Sequence, residues 1–189
     1  KGRRAWDFEP RRSSAAALGD FLDGSGARDG EKTFDGYGMD VDYVAAYGQT
    51  VLKFLRHYYW RIEAKGLEYV PRQGRAVLAG VHRGFMPLDA VMTFNLVVQE
   101  IERYPRFLIH PTLIKLPFQF NFMTKLGGVI ACQENADRVL QDDQLLGFYP
   151  EGIHGAFTFY RHAYRLGKFG RNEFVKTALR NRAPIVPFV

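Results

Sequence analysis

From Arg75 onward, short apolar runs alternate with longer stretches of helical periodicity, and this alternation constrains the fold more than any other feature of the chain. Arg75–Val81, Arg106–His110, Gly128–Cys132, Leu145–Tyr149 and Ile185–Val189 read as strands. Between them, Leu88–Glu102, Leu113–Leu126, Glu134–Gln141 and Asn172–Asn181 read as helices of eight to fifteen residues. Strands and helices in alternation predict an α/β fold with a mostly parallel central sheet flanked by helices. Arg75–Val81 is nearly all apolar, so it is expected to be buried on both faces. Upstream, Trp60–Lys65 reads as a further strand, joined to it through the turn Gly66–Pro71. No internal repeat is present.

Residues 1–40 are rich in Gly, Ser, Asp and Arg and show no sustained period, which predicts a flexible or loosely docked leader. The α/β domain is then expected over residues 41–189. It opens with an amphipathic helix in which Val44, Tyr47, Val51, Leu55, Tyr58 and Tyr59 recur at three- and four-residue steps among Lys53, Arg56 and Arg61. Such a helix either packs on a core or lies on a membrane surface. The chain begins at Lys1 without a Met and stops inside the apolar run Pro184–Val189, so it reads as a fragment of a longer polypeptide.

Composition removes several function classes. One cysteine, Cys132, makes neither an internal disulfide nor a cysteine-rich zinc site, and is expected to be a small buried residue. Serine occurs only at Ser13, Ser14 and Ser25, so the folded region has no serine nucleophile. No apolar run reaches the roughly 18 to 20 residues needed to span a bilayer. Residues 41–189 carry nineteen basic and twelve acidic side chains, a net +7. That field suits an anionic lipid surface or a phosphate-bearing substrate. Nucleic acid answers to the same field, but no recognition motif supports it as a partner.

Ligands of α/β proteins bind at the carboxyl ends of strands, and two such places carry candidate chemistry. The first is Val81-His82-Arg83-Gly84-Phe85-Met86-Pro87-Leu88-Asp89. A carboxylate that holds the imidazole Nδ1–H fixes the tautomer and leaves Nε2 as a general base. Asp89 also stands where a helix begins, so a first-turn carboxylate is the alternative, and the two roles are compatible. The second place is Gly147-Phe148-Tyr149-Pro150-Glu151-Gly152-Ile153-His154-Gly155, where glycines let backbone approach a ligand beside Glu151, or simply make a turn. No histidine pair has metal-ligand spacing, and no glycine-rich nucleotide loop is present.

Taken together, these segments resemble the glycerolipid acyltransferase superfamily, which contains the lysophosphatidate and glycerol-3-phosphate acyltransferases. Its first signature, a His closely followed by an Asp after a strand, is matched by His82 and Asp89. Its second is matched by Gly127–Ala136, its third by Phe148-Tyr149-Pro150-Glu151-Gly152, and its fourth by Ala183-Pro184-Ile185-Val186-Pro187. All four occur in family order over roughly residues 41 to 189. The resemblance implies a glycerol-3-phosphate acyltransferase-like fold and the transfer of a fatty acyl group from acyl-CoA or acyl-carrier protein to a lipid hydroxyl. His82 would act as base, Asp89 would orient it, and Arg83, Gly84, Glu151, Gly152 and His154 would shape the substrate site. The acyl carrier is a co-substrate, and no cofactor or metal is implied. Peripheral contact with the cytoplasmic, inner face of a membrane is expected. The alternative is a catalytically impaired lipid-binding or scaffold protein with the same fold.

The chain departs from the family pattern in ways that bear on the acceptor. Six residues separate His82 and Asp89 where four are usual, so the turn must bulge. Gln133 stands near the usual arginine of the second motif, and Ile153-His154 follows the third in place of Thr-Arg. Those arginines grip the acceptor phosphate through their forked guanidinium. Either Arg83, Lys115, Arg161, Arg165 or Lys168 replaces that charge, or the acceptor is a neutral lipid alcohol or acylglycerol, the reading favoured slightly. The three alternate phenylalanines Phe118, Phe120 and Phe122 cannot share one helix face, so some are expected at the surface, as a packing contact or an apolar lip.

Overall fold

Five short strands assemble a single all-parallel sheet in the order β3-β2-β4-β1-β5: β1 (Ala76–Gly80), β2 (Arg106–Ile109), β3 (Gly128–Ile130), β4 (Leu145–Phe148) and β5 (Ile185–Phe188). This is a computed structural model, and it describes residues 34–82, 87–152 and 172–189, which fall within one unit running from Thr33 to Val189. Arg83, Gly84 and His154 lie outside the described residues, as do Arg161, Arg165 and Lys168.

The period of two in β1 sends its side chains to opposite faces. Val77 joins Ala136, Val139, Leu140, Leu146 and Ala178 on one side, whereas Ala76 and Leu78 meet Val97, Ile101 and Leu145 on the other. All three strand residues are fully or almost fully buried, as an apolar run inside a parallel sheet requires. The first face is covered by helices α4 (Gln133–Gln141) and α5 (Glu173–Asn181). The second is covered by α1 (Val41–Tyr47), α2 (Leu88–Ile101) and α3 (Pro117–Lys125). β5 carries Pro187 and lies at the edge of the described sheet, where a missing N–H is tolerated.

Three local expectations change. Trp60–Lys65 forms no strand: the Ile62 amide bonds back to the Arg56 carbonyl at 2.8 Å, and Gly66 turns away at φ +82°. The helical run that α1 begins continues through two π turns, Gly48–Leu52 and Leu55–Tyr59. Wider turns keep residues four apart in line, so Val44, Gly48 and Leu52 are buried while Val51, Tyr58 and Tyr59 face outward. The stretch expected as one helix over 113–126 is a 3₁₀ turn (Pro111–Lys115) followed by α3, because Pro117 pushes Leu116 out of helical conformation to φ −114°, ψ 82°. Of the three alternate phenylalanines, Phe118 is 92% exposed, whereas Phe120 and Phe122 pack on the core and Phe122 meets the Tyr47 ring edge-on at 5.3 Å.

The segment 34–40, grouped with the leader by its composition, packs on the sheet. Met39 is buried in the core, Asp35 pairs with Arg106, and the Tyr37 hydroxyl bonds Asp142. Burial, then the bond to Asp142 and its charge, push the Tyr37 phenol from 10.0 up to about 12. Burial does the same to Tyr43, with Tyr47 and Asp40 adding to it. A folded-state value above the unfolded one means that the stabilisation is complete below pH 10 and fades as pH climbs from 10 through 12. Tyr43→Phe is therefore expected to flatten the alkaline loss of stability, measured as urea midpoint against pH between 9 and 12.

Candidate functional site

β1 and β4 are neighbours in register, with Ala79 opposite Phe148, so the chain leaving each strand emerges at the same carboxyl edge of the sheet. Three residues beyond Ala79 stands His82, and three beyond Phe148 stands Glu151. Asp89 lies in the first turn of α2, whose start is set by Pro87: the Val91 amide bonds the Pro87 carbonyl at 3.0 Å. There the carboxylate splits its duties. Oδ1 accepts from the Ala90 amide at 2.8 Å, and Oδ2 lies 2.7 Å from His82 Nδ1. Both readings of Asp89, first-turn carboxylate and partner of the imidazole, are thus occupied at once. The six-residue spacing accommodates this contact. Both side chains stay partly accessible, at 16% for His82 and 24% for Asp89.

Tyr149, Pro150, Glu151 and Gly152 form a turn closed by the Gly152 amide on the Tyr149 carbonyl at 3.0 Å, with Gly152 at φ +55°. One carboxylate oxygen of Glu151, Oε2, is buried and finds no hydrogen-bond partner among the described residues. An orphaned carboxylate oxygen at a strand end is a ready acceptor for a donor brought by a ligand.

Beneath His82 lies an aromatic floor that the sequence reading did not anticipate. The Tyr149 ring is 5.1 Å from the imidazole, 5.8 Å from Phe107 in a stacked arrangement, and 5.7 Å from Phe188 edge-on. Burial raises the Tyr149 phenol far above its ordinary value, and the nearby Asp89 charge adds to this, so the ring stays neutral. A signal for the floor does exist in the sequence, in glycines that interrupt apolar strands. A Cβ on Gly147 would sit 2.2 Å from the Phe107 ring, and one on Gly80 would sit 2.3 Å from Phe188. Gly147→Ala should cost about 2 kcal/mol by overpacking. Chemical denaturation measures that loss.

The second motif lies two strands away, at the end of β3. Cys132 is exposed at the start of α4 and not the small buried residue expected, because the chain leaves the sheet at Ile130. His110 is exposed at the end of β2 and bonds Thr112. No helix among the described residues is long and apolar enough to cross a membrane.

A parallel α/β sheet with an imidazole and carboxylate joined at its carboxyl edge is the framework on which the four motifs sit. Residues 61–189 match the family model described as Acyltransferase, and the chain belongs to that family. It is 34% identical over 160 residues to an uncharacterized protein of Mycobacterium tuberculosis and to one of Mycobacterium bovis, covering 84% of this chain and 45% of each relative. An uncharacterized protein of Mycobacterium leprae is likewise 34% identical over 160 residues, covering 84% of this chain and 44% of the relative. The chain thus spans less than half the length of these curated relatives. No solved structure matches it.

Proposed function

We propose that this acyltransferase-family chain moves a fatty acyl group from an acyl-CoA or acyl-carrier-protein thioester to the hydroxyl of a lipid. The observation that carries the reading is the 2.7 Å contact between His82 Nδ1 and Asp89 Oδ2. With Nδ1–H held by the carboxylate, Nε2 takes the proton of the acceptor hydroxyl as its oxygen attacks the thioester carbonyl. The carbon–sulfur bond then breaks, the ester remains on the lipid, and the imidazolium returns its proton to the departing thiolate. Asp89 stabilises the imidazolium between these steps. The neutral Tyr149 ring packs beside it without competing for the proton.

Gln133 and Ile153-His154, standing where the family motifs carry arginine, support a neutral alcohol or acylglycerol acceptor over a phosphorylated one. The unpaired Glu151 oxygen would accept a hydrogen bond from an acceptor hydroxyl. The exposed Leu116 and Phe118 support peripheral contact with a membrane surface. The test is transfer of a labelled acyl group from acyl-CoA and from acyl-carrier protein to lysophospholipid, acylglycerol and long-chain alcohol, by wild type and His82→Ala. Transfer by wild type alone supports the reading. Lipid binding with no transfer from either donor replaces it with a scaffold role.

A further inference from the structure

The π turns of the first helical run leave a polar cleft of about 70 Å³ against α2, on elements that carry neither His82 nor Glu151. Lys53, Arg56 and His57 line it from the helical run, Asn95 and Gln99 from α2, and Gly48 forms part of its wall. We propose that this cleft binds a phosphate group, presented by an anionic membrane lipid.

Four features support this. Asn95 is 3% exposed and lines the cleft, so its side-chain amide is held at the wall by the packing of α2 and offers N–H donors there. Arg56 is held from outside by Glu100 at 2.6 Å, while its Nε is buried without a partner. Gly48 keeps the space open, since a Cβ there would lie 3.3 Å from Asn95 Nδ2 and 3.7 Å from Gln99 Nε2. Finally, π turns are rare and concentrate at functional sites, and two of them supply this wall. Guanidinium, ammonium and amide N–H groups around a small volume match a tetrahedral oxyanion.

The lipid source follows from what interleaves with the cations. Phe54 and Tyr58 are exposed, stacked at 6.0 Å, and alternate in sequence with Lys53, Arg56 and His57. Apolar rings beside a phosphate site suit the boundary between headgroups and acyl chains. The site uses no residue of the proposed dyad, so His82→Ala should bind as wild type does, and failure here leaves the acyl-transfer reading standing.

The test measures inorganic phosphate by titration calorimetry, and sedimentation with vesicles of phosphatidylcholine alone or with 30% phosphatidic acid. Gln99→Glu places a carboxylate at an exposed position in the cleft and is expected to weaken both phosphate and phosphatidic-acid vesicle binding at least tenfold. Lys53→Gln should act in the same direction. Ala45→Glu adds the same charge at an exposed position of α1 outside the cleft and should change binding less than twofold. Phe54→Ala with Tyr58→Ala should weaken only the vesicle arm. Phosphate binding sensitive to Gln99→Glu, with vesicle binding insensitive, overturns the lipid source and assigns the cleft to a soluble phosphate. Equal losses in Ala45→Glu and Gln99→Glu, or no phosphate binding by wild type, overturn the site.

Discussion

His82→Ala is expected to lower acyl transfer by about 10²- to 10⁴-fold, the usual contribution of a positioned general base, while leaving the urea midpoint close to that of wild type. The side chain follows the end of β1, stays 16% exposed and meets the Tyr149 ring, so its loss removes little buried packing. The loss should fall on kcat with little change in KM, because proton removal belongs to the transition state and not to binding. Asp89→Asn keeps one acceptor oxygen of two, so it can hold the Nδ1–H only by turning its NH2 toward the Ala90 amide, and it no longer stabilises the imidazolium; an intermediate loss is expected. Should Asp89→Asn match His82→Ala, orientation and charge act as one unit. Unchanged turnover in His82→Ala removes the base from the mechanism altogether.

That this pair is legible in the sequence at all follows from parallel topology. A strand that must be buried on both faces is written as an apolar run, and whatever polar residue follows it is placed at the sheet's carboxyl edge. Val77 and Leu78 thus announce where His82 will stand, and Leu145 and Leu146 do the same for Glu151. Pro87 marks the start of the helix that carries Asp89. What resists reading is whatever depends on a distant neighbour. The π turns look like ordinary helix because their residues do; only the burial of Gly48 beneath Asn95 shows the changed pitch. Trp60–Lys65 alternates like a strand but pairs with no strand among the described residues. The aromatic floor under His82 combines Phe107, Tyr149 and Phe188 from three strands or their ends, and the glycines that admit those rings are ambiguous until the neighbours are known.

The contact between Asp35 and Arg106 is the clearest such case, with the partners 71 positions apart, and it carries the largest expected effect on stability. Arg106 opens β2 and is 3% exposed, with Nε on Gln144 at 2.9 Å and the guanidinium 5.2 Å from the Tyr37 ring. Asp35 neutralises it and also accepts the Tyr37 and Met39 amides, each at 2.9 Å, which folds the segment 34–40 onto the sheet. Asp35→Ala leaves a buried guanidinium without its counter-charge and frees two amides, so a loss of about 3 kcal/mol is expected, toward the lower end for a broken buried pair because Asp35 is partly solvated. Arg106→Met should cost less, about 1 to 2 kcal/mol, because the remaining carboxylate can hydrate and keep its backbone bonds. The double variant should then be more stable than Asp35→Ala alone, since removing the orphaned charge relieves the penalty that the first substitution created. Urea denaturation of the three proteins decides this. A double variant less stable than Asp35→Ala would mean that the guanidinium holds β2 through Gln144 and Tyr37 more than it suffers from losing Asp35.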